Sequence, residues 1–532
     1  MSTNFAKHVN PSTTPQSSPI PGRETEMVKN NAGGYTFTLS PLKAVERFLI
    51  LGTEGGTYYA TERKHTVQAT DNLKRAIKET PYEVIDLIID ISDKGRASKN
   101  DAALFALAAV MKYTTDEKVR YTARQAFSKV VRIGTHLFHF AEFQKQLGKG
   151  WGSGTKRMFQ NWYTSKAPGE IALQAIKYMQ RDGWSHRDIL RLAHPNGSPE
   201  QNAVFNYITK QGNVKDTYDL PSIMQAAIEA KTASKDRVIQ LITEHDLPRE
   251  AIRTELLNDC GIWEALLPHM GITALVRNLG KMTSIGLLAK NNILAKSVAE
   301  KLRDPKTLKQ GRVHPILMLN ALKTYGAGRG DKGSLVWNPV PIIRDALEDG
   351  FQASFDFQRP SGKDILLAVD VSGSMHWGNV AGANFSPAEA AAVMALVTAK
   401  VEPSYQIMAF STKLMNIDIT AKDSFQRVKQ KLSGLNFGGT DCGAPMVHAT
   451  ANKMGVDVFH IYTDNETWAG NTHPREALAI YRKKMNRPNA KLAVFGMTAT
   501  DFTIADPKDP GMLDFVGFDT SAPQAAAEFA LL

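Results

Sequence analysis

The residues best suited to chemistry follow the apolar run 365–369 and read Asp370-Val371-Ser372-Gly373-Ser374. An apolar run of this length predicts a buried parallel strand, because such strands are covered on both faces. Asp370, Ser372 and Ser374 then leave the carboxyl end of the strand together, as one carboxylate and two hydroxyls. Oxygen ligands of this kind suit a hard divalent cation such as Mg²⁺.

Two later residues complete the candidate metal site. Thr440 lies in Gly438-Gly439-Thr440-Asp441, and Asp464 directly follows the apolar run 458–463. Two carboxylates and three hydroxyls, some of them acting through water, match the oxygen cage that Mg²⁺ prefers. In a second interpretation, Asp370 and its serines only cap the turn after the strand, as short polar residues often do.

The charge of the chain is unevenly distributed. The formal net charge is +11, but residues 361–532 carry about 15 Lys and Arg against about 17 Asp and Glu, so about +13 belongs to residues 1–360. A positive excess of this size predicts a polyanion partner, most often nucleic acid.

The best candidate for contact with a polyanion is the segment 148–195, where cationic and aromatic side chains alternate. Cations contact phosphates and aromatic rings stack on unpaired bases, which suits RNA with single-stranded parts. A second interpretation, equally open from the sequence, assigns the rings to the helical core and the charges to a solvated face. The residues are Lys149, Lys156, Arg157, Lys166, Lys177, Arg181, His186, Arg187 and Arg191 with Trp151, Phe159, Trp162, Tyr163, Tyr178 and Trp184.

Length and composition limit the class of protein. With 532 residues, 43% of them hydrophobic, the chain is long enough for two or more domains with large cores. No apolar stretch is long enough to span a bilayer, and the polar N-terminus lacks a signal-peptide core, so we expect a soluble, cytoplasmic protein without membrane contact. The two cysteines, Cys260 and Cys442, provide neither a disulfide framework nor a zinc site.

From about residue 40 to 355 the sequence shows a succession of helix patterns without a convincing strand. Thr80-Pro81-Tyr82-Glu83 predicts a capping box with Pro at the first helical position. Further helices are predicted over 101–113, 117–131, 169–181, 185–193 and 221–233. Many helices of ordinary length with short polar links indicate an all-α solenoid of the HEAT type. The glycine-rich stretch 326–333 is predicted to be a flexible basic loop, since no strand precedes it as in a phosphate loop.

From about residue 361 strand and helix patterns alternate, which predicts an α/β domain with a doubly wound parallel sheet. Ser386-Pro387-Ala388-Glu389 is a capping box that begins a helix reaching about Lys400. Strands are predicted over 405–410, 456–462, 492–497 and 513–518, and helices over 425–432 and 474–485. Ligands of such sheets bind at the carboxyl ends of strands, which is where Asp370 and Asp464 fall.

Several longer stretches point to a known family. Among them are Tyr178-Met179-Gln180-Arg181-Asp182-Gly183-Trp184-Ser185-His186-Arg187-Asp188, Leu275-Val276-Arg277-Asn278-Leu279-Gly280-Lys281-Met282, Gly438-Gly439-Thr440-Asp441-Cys442 and Tyr462-Thr463-Asp464-Asn465-Glu466-Thr467. Together they resemble the Ro autoantigen family, which joins a TROVE module to a von Willebrand factor A domain. The resemblance implies a ring of HEAT-like helices over 31–360 and an A domain over 361–532. It does not extend to residues 1–30, which we expect to be a flexible N-terminal segment. The ligand pattern resembles the metal-ion-dependent adhesion site of that domain.

In the Ro family, Y RNAs bind the outer surface of the ring, and single-stranded 3′ ends of misfolded or unprocessed RNAs enter its central hole. The resemblance implies the same non-catalytic role in noncoding-RNA quality control, and we expect a monomer. The outer surface is expected to use Lys156, Arg157 and His186, with Thr135, His136, Arg187, Lys177 and Arg181 nearby. Arg277, Lys281, Arg312 and Lys332 are assigned to the hole on basicity alone. Bacterial members are linked through a Y RNA to polynucleotide phosphorylase, so such an exoribonuclease is a further expected partner if the chain is bacterial.

Two other functions stay open. In the A-domain fold the metal takes a carboxylate from a partner, so the chain can instead be a protein-binding scaffold that captures an acidic partner. It can also be a metal-dependent hydrolase that uses Asp370 and Asp464, although no general base or second metal is evident.

Overall fold

Helices form most of the chain as far as residue 353. In the computed structural model the described residues are 13–54, 57–58, 60–214, 216–330, 333–355, 359–380, 385–432, 435 and 438–532. Two short strands come first, β1 (Met27–Lys29) and β2 (Tyr35–Thr38). The helices that follow are α1 (Pro41–Leu51), α2 (Glu62–Glu79), α3 (Pro81–Lys94), α4 (Asp101–Tyr113), α5 (Glu117–Val130), α6 (Gly134–Gln146), α7 (Ser153–Thr164), α8 (Pro168–Lys177), α9 (His186–Ala193), α10 (Pro199–Thr209), α11 (Ser222–Glu229), α12 (Lys235–His245), α13 (Cys260–Leu266), α14 (Ile272–Ser284), α15 (Ile293–Arg303), α16 (Pro305–Gln310), α17 (Pro315–Gly326) and α18 (Pro341–Ala353).

These helices pack in succession around a shared apolar core. α1 packs against α2, α3 against α5, α4 against α6, and both α15 and α17 against α18. Each helix contributes an apolar stripe, as α3 does with the buried residues Val84, Ile88 and Ile91 at helical spacing. A helix with one such stripe is unstable alone, so successive helices bury their stripes against each other as in an α-solenoid. The predicted helical first part of the chain is confirmed.

The predicted helix over 169–181 is wrong at its end. α8 stops at Lys177, and a small hairpin follows, in which β3 (Gln180–Arg181) pairs with β4 (Trp184–Ser185). Asp182 and Gly183 have φ values of 52° and 78°. Two successive positive φ angles make the tight hairpin turn that the dipeptide Asp-Gly favours.

Two further local expectations differ from the structure. Pro81 begins α3, but the Thr80 hydroxyl makes no capping hydrogen bond, because Thr80 also ends α2 and has φ −140° and ψ 61°. The stretch 326–333, predicted to be a flexible loop, is held at Gly328, whose carbonyl accepts from the Trp337 amide at 2.9 Å. Residues 331 and 332 of that stretch lie outside the described residues.

Three segments meet where the succession of helices returns to its beginning. The Arg312 guanidinium, just before α17, pairs with Asp93 of α3 at 2.8 Å, across 219 residues of sequence. Arg96 pairs with Asp519 near the C-terminus at 2.6 Å, and the His314 ring hydrogen-bonds the Phe518 carbonyl at 2.9 Å. These contacts close the helices into a ring, with the C-terminal domain at the closure.

The second part of the chain is the predicted α/β domain. Its six-stranded sheet has the order β11-β9-β8-β5-β6-β7, and all neighbours are parallel except β6 and β7. Among the described residues, the strands are β5 (Ile365–Asp370), β6 (Tyr405–Phe410), β7 (Leu414–Asn416), β8 (Val458–Thr463), β9 (Lys491–Gly496), β10 (Phe502–Thr503) and β11 (Met512–Val516), and the helices are α19 (Pro387–Ala399), α20 (Phe425–Leu432), α21 (Ala444–Ala451), α22 (Pro474–Lys484) and α23 (Ala522–Leu531).

Both faces of this sheet are covered. Leu367 and Val369 of β5 point into the core shared with α19 and the helical ring, whereas Leu366 and Ala368 point into the core formed with α21 and α22. α19 is buried almost all round because it lies between the sheet and the ring, and the predicted capping box holds its start, where the Glu389 carboxylate accepts from the Ser386 amide at 3.2 Å. The last strand ends at Val516, earlier than predicted, because Phe518 has a positive φ of 62°.

Residues 13–38 form an N-terminal strap that lies on the A domain. β1 pairs with β2, and β2 pairs with β10, so the strap extends the domain by a three-stranded sheet. Arg23 pairs with the buried Asp506 at 2.7 Å. The sequence predicts a flexible segment over 1–30, but residues 13–30 are held by strand pairing and buried polar contacts; residues 1–12 lie outside the described residues. Within the described part of the chain, no helix is long and apolar enough to cross a membrane.

His314 at the ring closure predicts acid sensitivity. Burial lowers the pKa of His314 from 6.5 to about 4, so the folded chain keeps this ring neutral while the unfolded chain takes up a proton below pH 6.5. The stabilisation is therefore complete above pH 6.5 and is lost as the pH falls towards 4, by up to about 1.4 kcal/mol per pH unit. His314→Asn keeps an acceptor for the Ile316 amide but does not reach Phe518.

We expect His314→Asn to have a lower melting temperature than the wild type at pH 7.5. Between pH 7.5 and 5 its melting temperature should fall less than that of the wild type, as measured by thermal denaturation. The exposed His194, at the end of α9, provides the control His194→Asn, which should follow the wild-type curve. Equal losses for His314→Asn and the wild type would contradict a neutral His314 in the folded chain.

Candidate metal centre and basic surface

The candidate metal centre lies at the carboxyl edge of the sheet. Asp370 is the last residue of β5, and Asp464 directly follows β8, the parallel neighbour of β5. The chain leaves β5 for β6 on one side and returns to β8 on the other, so the site is at a switch point of the sheet, where ligands of such folds bind. The order of the strands therefore brings two carboxylates together that are far apart in sequence.

Short polar contacts join the proposed ligands. The Asp370 carboxylate accepts from the Ser372 amide at 2.9 Å and from the Thr463 hydroxyl at 2.6 Å. The hydroxyl oxygens of Ser372 and Ser374 lie 3.3 Å apart, and the Ser374 hydroxyl donates to the Asp464 carboxylate. The side chains of Asp370, Ser372, Ser374, Thr440 and Asp464 are all buried.

Backbone hydrogen bonds hold the loop that carries Thr440 at the same edge of the sheet. The Gly373 amide donates to the Gly438 carbonyl at 3.4 Å, which joins the loop after β5 to the loop that carries Thr440. The Thr440 carbonyl accepts from the Trp468 amide at 3.0 Å, which joins it to the loop after Asp464. The three loops that carry the predicted ligands are thus tied to each other.

The electrostatics favour a cation between these groups. Burial, and then the negative charge of Asp464, raise the pKa of Asp370 to about 7, and burial also raises the pKa of Asp464. Two carboxylates in one dry site repel each other, and a divalent cation removes that penalty. The donors are all oxygens, as Mg²⁺ prefers. Among the described residues no group of three His, Cys, Asp or Glu side chains can hold a metal, so a site here needs the hydroxyls.

Two further carboxylates border the centre. Asp441 follows Thr440, and its carboxylate accepts from the Gln16 side chain at 2.7 Å. Glu466 is buried, and it accepts from the Asn31 side chain at 2.7 Å and from the Ala32 amide at 3.0 Å. Glu466 is buried and Asp441 is partly buried, and each accepts from a donor of the strap. Sequence reasoning missed these donors because no local pattern marks the strap.

Exposed aromatic rings flank the centre. Of the seven tryptophans, all in described positions, only Trp377 and Trp468 are exposed, at 51% and 42%. The Trp377 amide donates to the Ser374 carbonyl and the Trp468 amide to the Thr440 carbonyl, so each tryptophan is joined through its backbone to a proposed ligand residue. Tyr58, just before α2, packs edge-on against Trp377 with ring centroids 6.4 Å apart.

The basic surface is centred on α7. Lys156 is half-buried and Arg157 is exposed, and neither forms an ion pair with any residue that the structure describes. The opposite face of α7 buries Phe159, Trp162 and Tyr163 in the helical core. For these three rings the core interpretation is correct, whereas the cations of the same helix point to solvent.

His186 lies inside the protein. Its Nδ1 and the Tyr163 hydroxyl are 2.8 Å apart, and its ring packs edge-on against Phe138. Burial lowers the pKa of His186 to about 4, so the ring is neutral near pH 7. A β-carbon on Gly134 would lie 2.8 Å from His186 Nε2, which shows how tightly the start of α6 packs on this ring. As placed, His186 joins α6, α7 and α9 and does not reach the surface.

The other predicted contact residues surround this junction. Thr135 and His136 lie in the first turn of α6, and burial lowers the pKa of His136 to about 3. Lys177 ends α8, and the Arg181 side chain is 61% exposed on the hairpin. Arg187 lies in the first turn of α9 and donates to the Thr209 carbonyl at 3.2 Å. Helices that are neighbours in the solenoid thus bring these side chains to one region.

Comparisons with known proteins decide the family. A family model described as the TROVE domain matches residues 28–244 and 243–324, and one described as the Ro60 vWA domain matches residues 364–530. The protein named RNA-binding protein RO60 of Deinococcus radiodurans is 40% identical over 99% of both chains. The chain belongs to the RO60 family.

Other members of the RO60 family agree with this assignment. The RNA-binding protein RO60 of Caenorhabditis elegans is 35% identical over 94% of this chain and 90% of its own. The crystal structure of the RO (RSR) protein of Deinococcus radiodurans matches with a TM-score of 0.69 and 39% identity, over 92% of this chain and 99% of that one. The predicted ring followed by an A domain is confirmed.

The basic residues assigned to the hole of an RO60-type ring do not form one group. Arg277 and Lys281 of α14 line a cavity of about 560 Å³ together with Arg249 and Trp337. Arg312 is elsewhere, paired with Asp93 at the ring closure. Lys332 lies outside the described residues. Basicity alone is a poor guide here, because a cation at a helix junction is as often a structural partner as a free one.

Proposed function

We propose that this chain is an RNA-binding protein of noncoding-RNA metabolism. Its membership of the RO60 family supports the proposal, since the Deinococcus and Caenorhabditis relatives are named RNA-binding proteins. In this chain the proposal is carried by α7, where Lys156 and Arg157 have no ion-pair partner among the described residues. Cations without a protein partner are available to phosphates, which supply most of the affinity for nucleic acids.

The finer proposal assigns two classes of RNA. Y-like noncoding RNA binds the outer surface around α7, and single-stranded 3′ ends of misfolded or unprocessed RNAs enter the ring. The chain acts as a cytoplasmic monomer in RNA quality control and catalyses no reaction, and an exoribonuclease such as polynucleotide phosphorylase is the partner that degrades or trims the RNA. The TROVE match and the net charge of +11 support these assignments.

The metal centre is the second part of the proposal. Asp370, Ser372, Ser374, Thr440 and Asp464 bind Mg²⁺ or another divalent cation directly or through water. The support comes from the buried, oxygen-only donor set and from the raised pKa values of both carboxyl groups. The cation supplies charge compensation and a coordination position for an external oxygen.

A second function, capture of an acidic protein partner at this metal, has one specific observation in its favour. The exposed tryptophans of the chain, Trp377 and Trp468, both flank the centre. Tryptophan is the side chain most enriched among residues that dominate binding energy, and exposed apolar groups around a polar centre mark interaction sites. A partner carboxylate on the metal, with apolar side chains against the indoles, fits this arrangement.

The RNA proposal predicts a change in salt dependence. Lys156→Ala with Arg157→Ala should reduce the slope of log K against log salt, by about 0.7–0.9 for each lost phosphate contact. Filter binding of a stem RNA with a single-stranded 3′ tail at several salt concentrations measures this slope. Lys483→Ala with Lys484→Ala removes two exposed cations from α22 and should leave the slope unchanged. An equal effect of both pairs, or none, contradicts the assignment to α7.

The metal proposal predicts that Asp370→Asn abolishes the Mg²⁺ response. Mg²⁺ should raise the melting temperature of the wild type, because a ligand that binds only the folded chain stabilises it. The variant should not respond, yet its metal-free melting temperature should not fall, since one of two repelling carboxylates is gone. Asp364→Asn, at the other end of the same strand run, should keep the response. A wild type that does not respond to Mg²⁺ argues against the site.

The partner proposal predicts that the indoles of Trp377 and Trp468 contribute to partner binding only when the metal is bound. The immobilised chain should retain proteins in Mg²⁺ and release them to a chelator. Trp468→Ala or Trp377→Ala should reduce the amount of retained protein about tenfold or more, which is the loss expected of interface hot spots. Tyr121→Ala, an exposed ring on α5, is the control and should retain them. Unchanged retention by both tryptophan variants removes the second function.

A further inference from the structure

Gln16 of the N-terminal strap is a fully buried side chain that serves the loop carrying Thr440. Its amide nitrogen donates to the Asp441 carboxylate at 2.7 Å and to the Thr472 carbonyl at 2.7 Å, and its amide oxygen accepts from the Thr467 hydroxyl. Its backbone amide donates to the Gly470 carbonyl at 2.8 Å. One side chain of the strap therefore holds the residue after Thr440 and the loop that follows Asp464.

The turn between the two strap strands serves the loop carrying Asp464. The Asn31 side chain and the Ala32 amide each donate to one carboxylate oxygen of Glu466, and the Asn30 side chain donates to the Thr467 carbonyl at 2.7 Å. At Gly34 a β-carbon would lie 1.9 Å from the Thr467 carbonyl oxygen, so the strap backbone is in direct contact with this loop. Both oxygens of a buried carboxylate two residues from Asp464 thus depend on the strap.

Buried carboxylates need donors, and removing a donor leaves them free to rearrange or to draw in water. Asp441 follows Thr440 and Glu466 lies two residues after Asp464, so a rearrangement of either carboxylate would disturb a loop that carries a proposed ligand. Mutation of residues that orient metal ligands through hydrogen bonds, without binding the metal themselves, typically changes metal affinity about 10–100-fold. The strap is placed to have this effect although it contributes no ligand.

The geometry points to Gln16 and Asn31 as positioning residues of the metal centre: the N-terminal strap fixes the loops of Thr440 and Asp464, so divalent-cation affinity depends on it. This inference rests on the proposed metal site. By linkage, metal binding in turn strengthens the docking of the strap. A strap that only stabilises the A domain would lower the melting temperature without changing metal affinity.

The strap provides its own control. Thr14, two residues before Gln16, is buried and donates from its amide and hydroxyl to Glu476 of α22 at 2.8 Å and 3.0 Å, away from the metal loops. Thr14→Ala and Gln16→Ala each remove a side-chain hydrogen bond to a carboxylate from the same buried segment. Only Gln16→Ala removes one from a metal loop, so the two variants separate positioning from general stabilisation.

The test is isothermal titration of the full-length chain with Mg²⁺. Gln16→Ala and Asn31→Ala should each raise the dissociation constant about tenfold or more, whereas Thr14→Ala should bind Mg²⁺ like the wild type despite a lower melting temperature. Equal affinities in all four chains, or equal losses in Gln16→Ala and Thr14→Ala, overturn the inference and leave the metal site standing. A wild type that binds no Mg²⁺ overturns both.

Hydrogen exchange gives a second measurement that needs no variant, in case Gln16→Ala does not fold. In the wild type, the amides of Ala32, Gly34 and Tyr35, which donate to Glu466, Asn30 and Gln16, should exchange more slowly with Mg²⁺ than with chelator. Exchange at these amides that is unaffected by a bound metal overturns the inference.

Discussion

Two carboxyl groups buried side by side at the edge of the sheet impose a constraint that the surrounding loops have to satisfy. Asp370 and Asp464 come together because β5 and β8 are parallel neighbours, and the sheet is covered on both faces, so water cannot solvate them. Burial of charge is unfavourable unless donors or a cation compensate for it. The chain supplies donors from three loops of the A domain, and it holds those loops with the strap, more than 400 residues away in sequence (451 between Gln16 and Thr467).

The same requirement joins the helical ring to the A domain. The Arg47 guanidinium of α1 is fully buried; it pairs with Asp514 and donates to the Phe502 carbonyl at 2.9 Å. Removing the Asp514 carboxylate while Arg47 stays buried would leave a buried charge without its partner, which typically costs about 3–5 kcal/mol. Together with the contacts of Arg96 and His314, this fixes the ring at both of its ends to one domain. The ring and the A domain are therefore one packed unit at the closure.

The features that could be predicted from the sequence are those set by local patterns or by patterns that repeat along the chain. The complete burial of β5, the limits 405–410 and 425–432, and the capping box at Ser386 follow from patterns of a few residues, and the structure agrees with them. The Asp182-Gly183 turn is equally local, and its two positive φ angles end the helix pattern that precedes it. Gln16 and Asn31 carry no local signal, because their roles arise only when distant segments meet. The burial of His186 likewise depends on the packing of three helices around one ring.

Because its donors are already in place, the candidate metal centre is preorganised. Asn31 donates to Glu466 and its side-chain oxygen accepts from Lys64 of α2 at 3.0 Å, so a chain of direct hydrogen bonds runs from the helical ring to the loop of Asp464. His65, the next residue of α2, hydrogen-bonds the Ala499 carbonyl of the A domain at 2.7 Å and holds the same helix in place. Contacts this short, from both domains and the strap, favour a single arrangement of the ligands. A cation or partner that binds there then loses little free energy to ordering the protein, which is the general advantage of a site built before its ligand arrives.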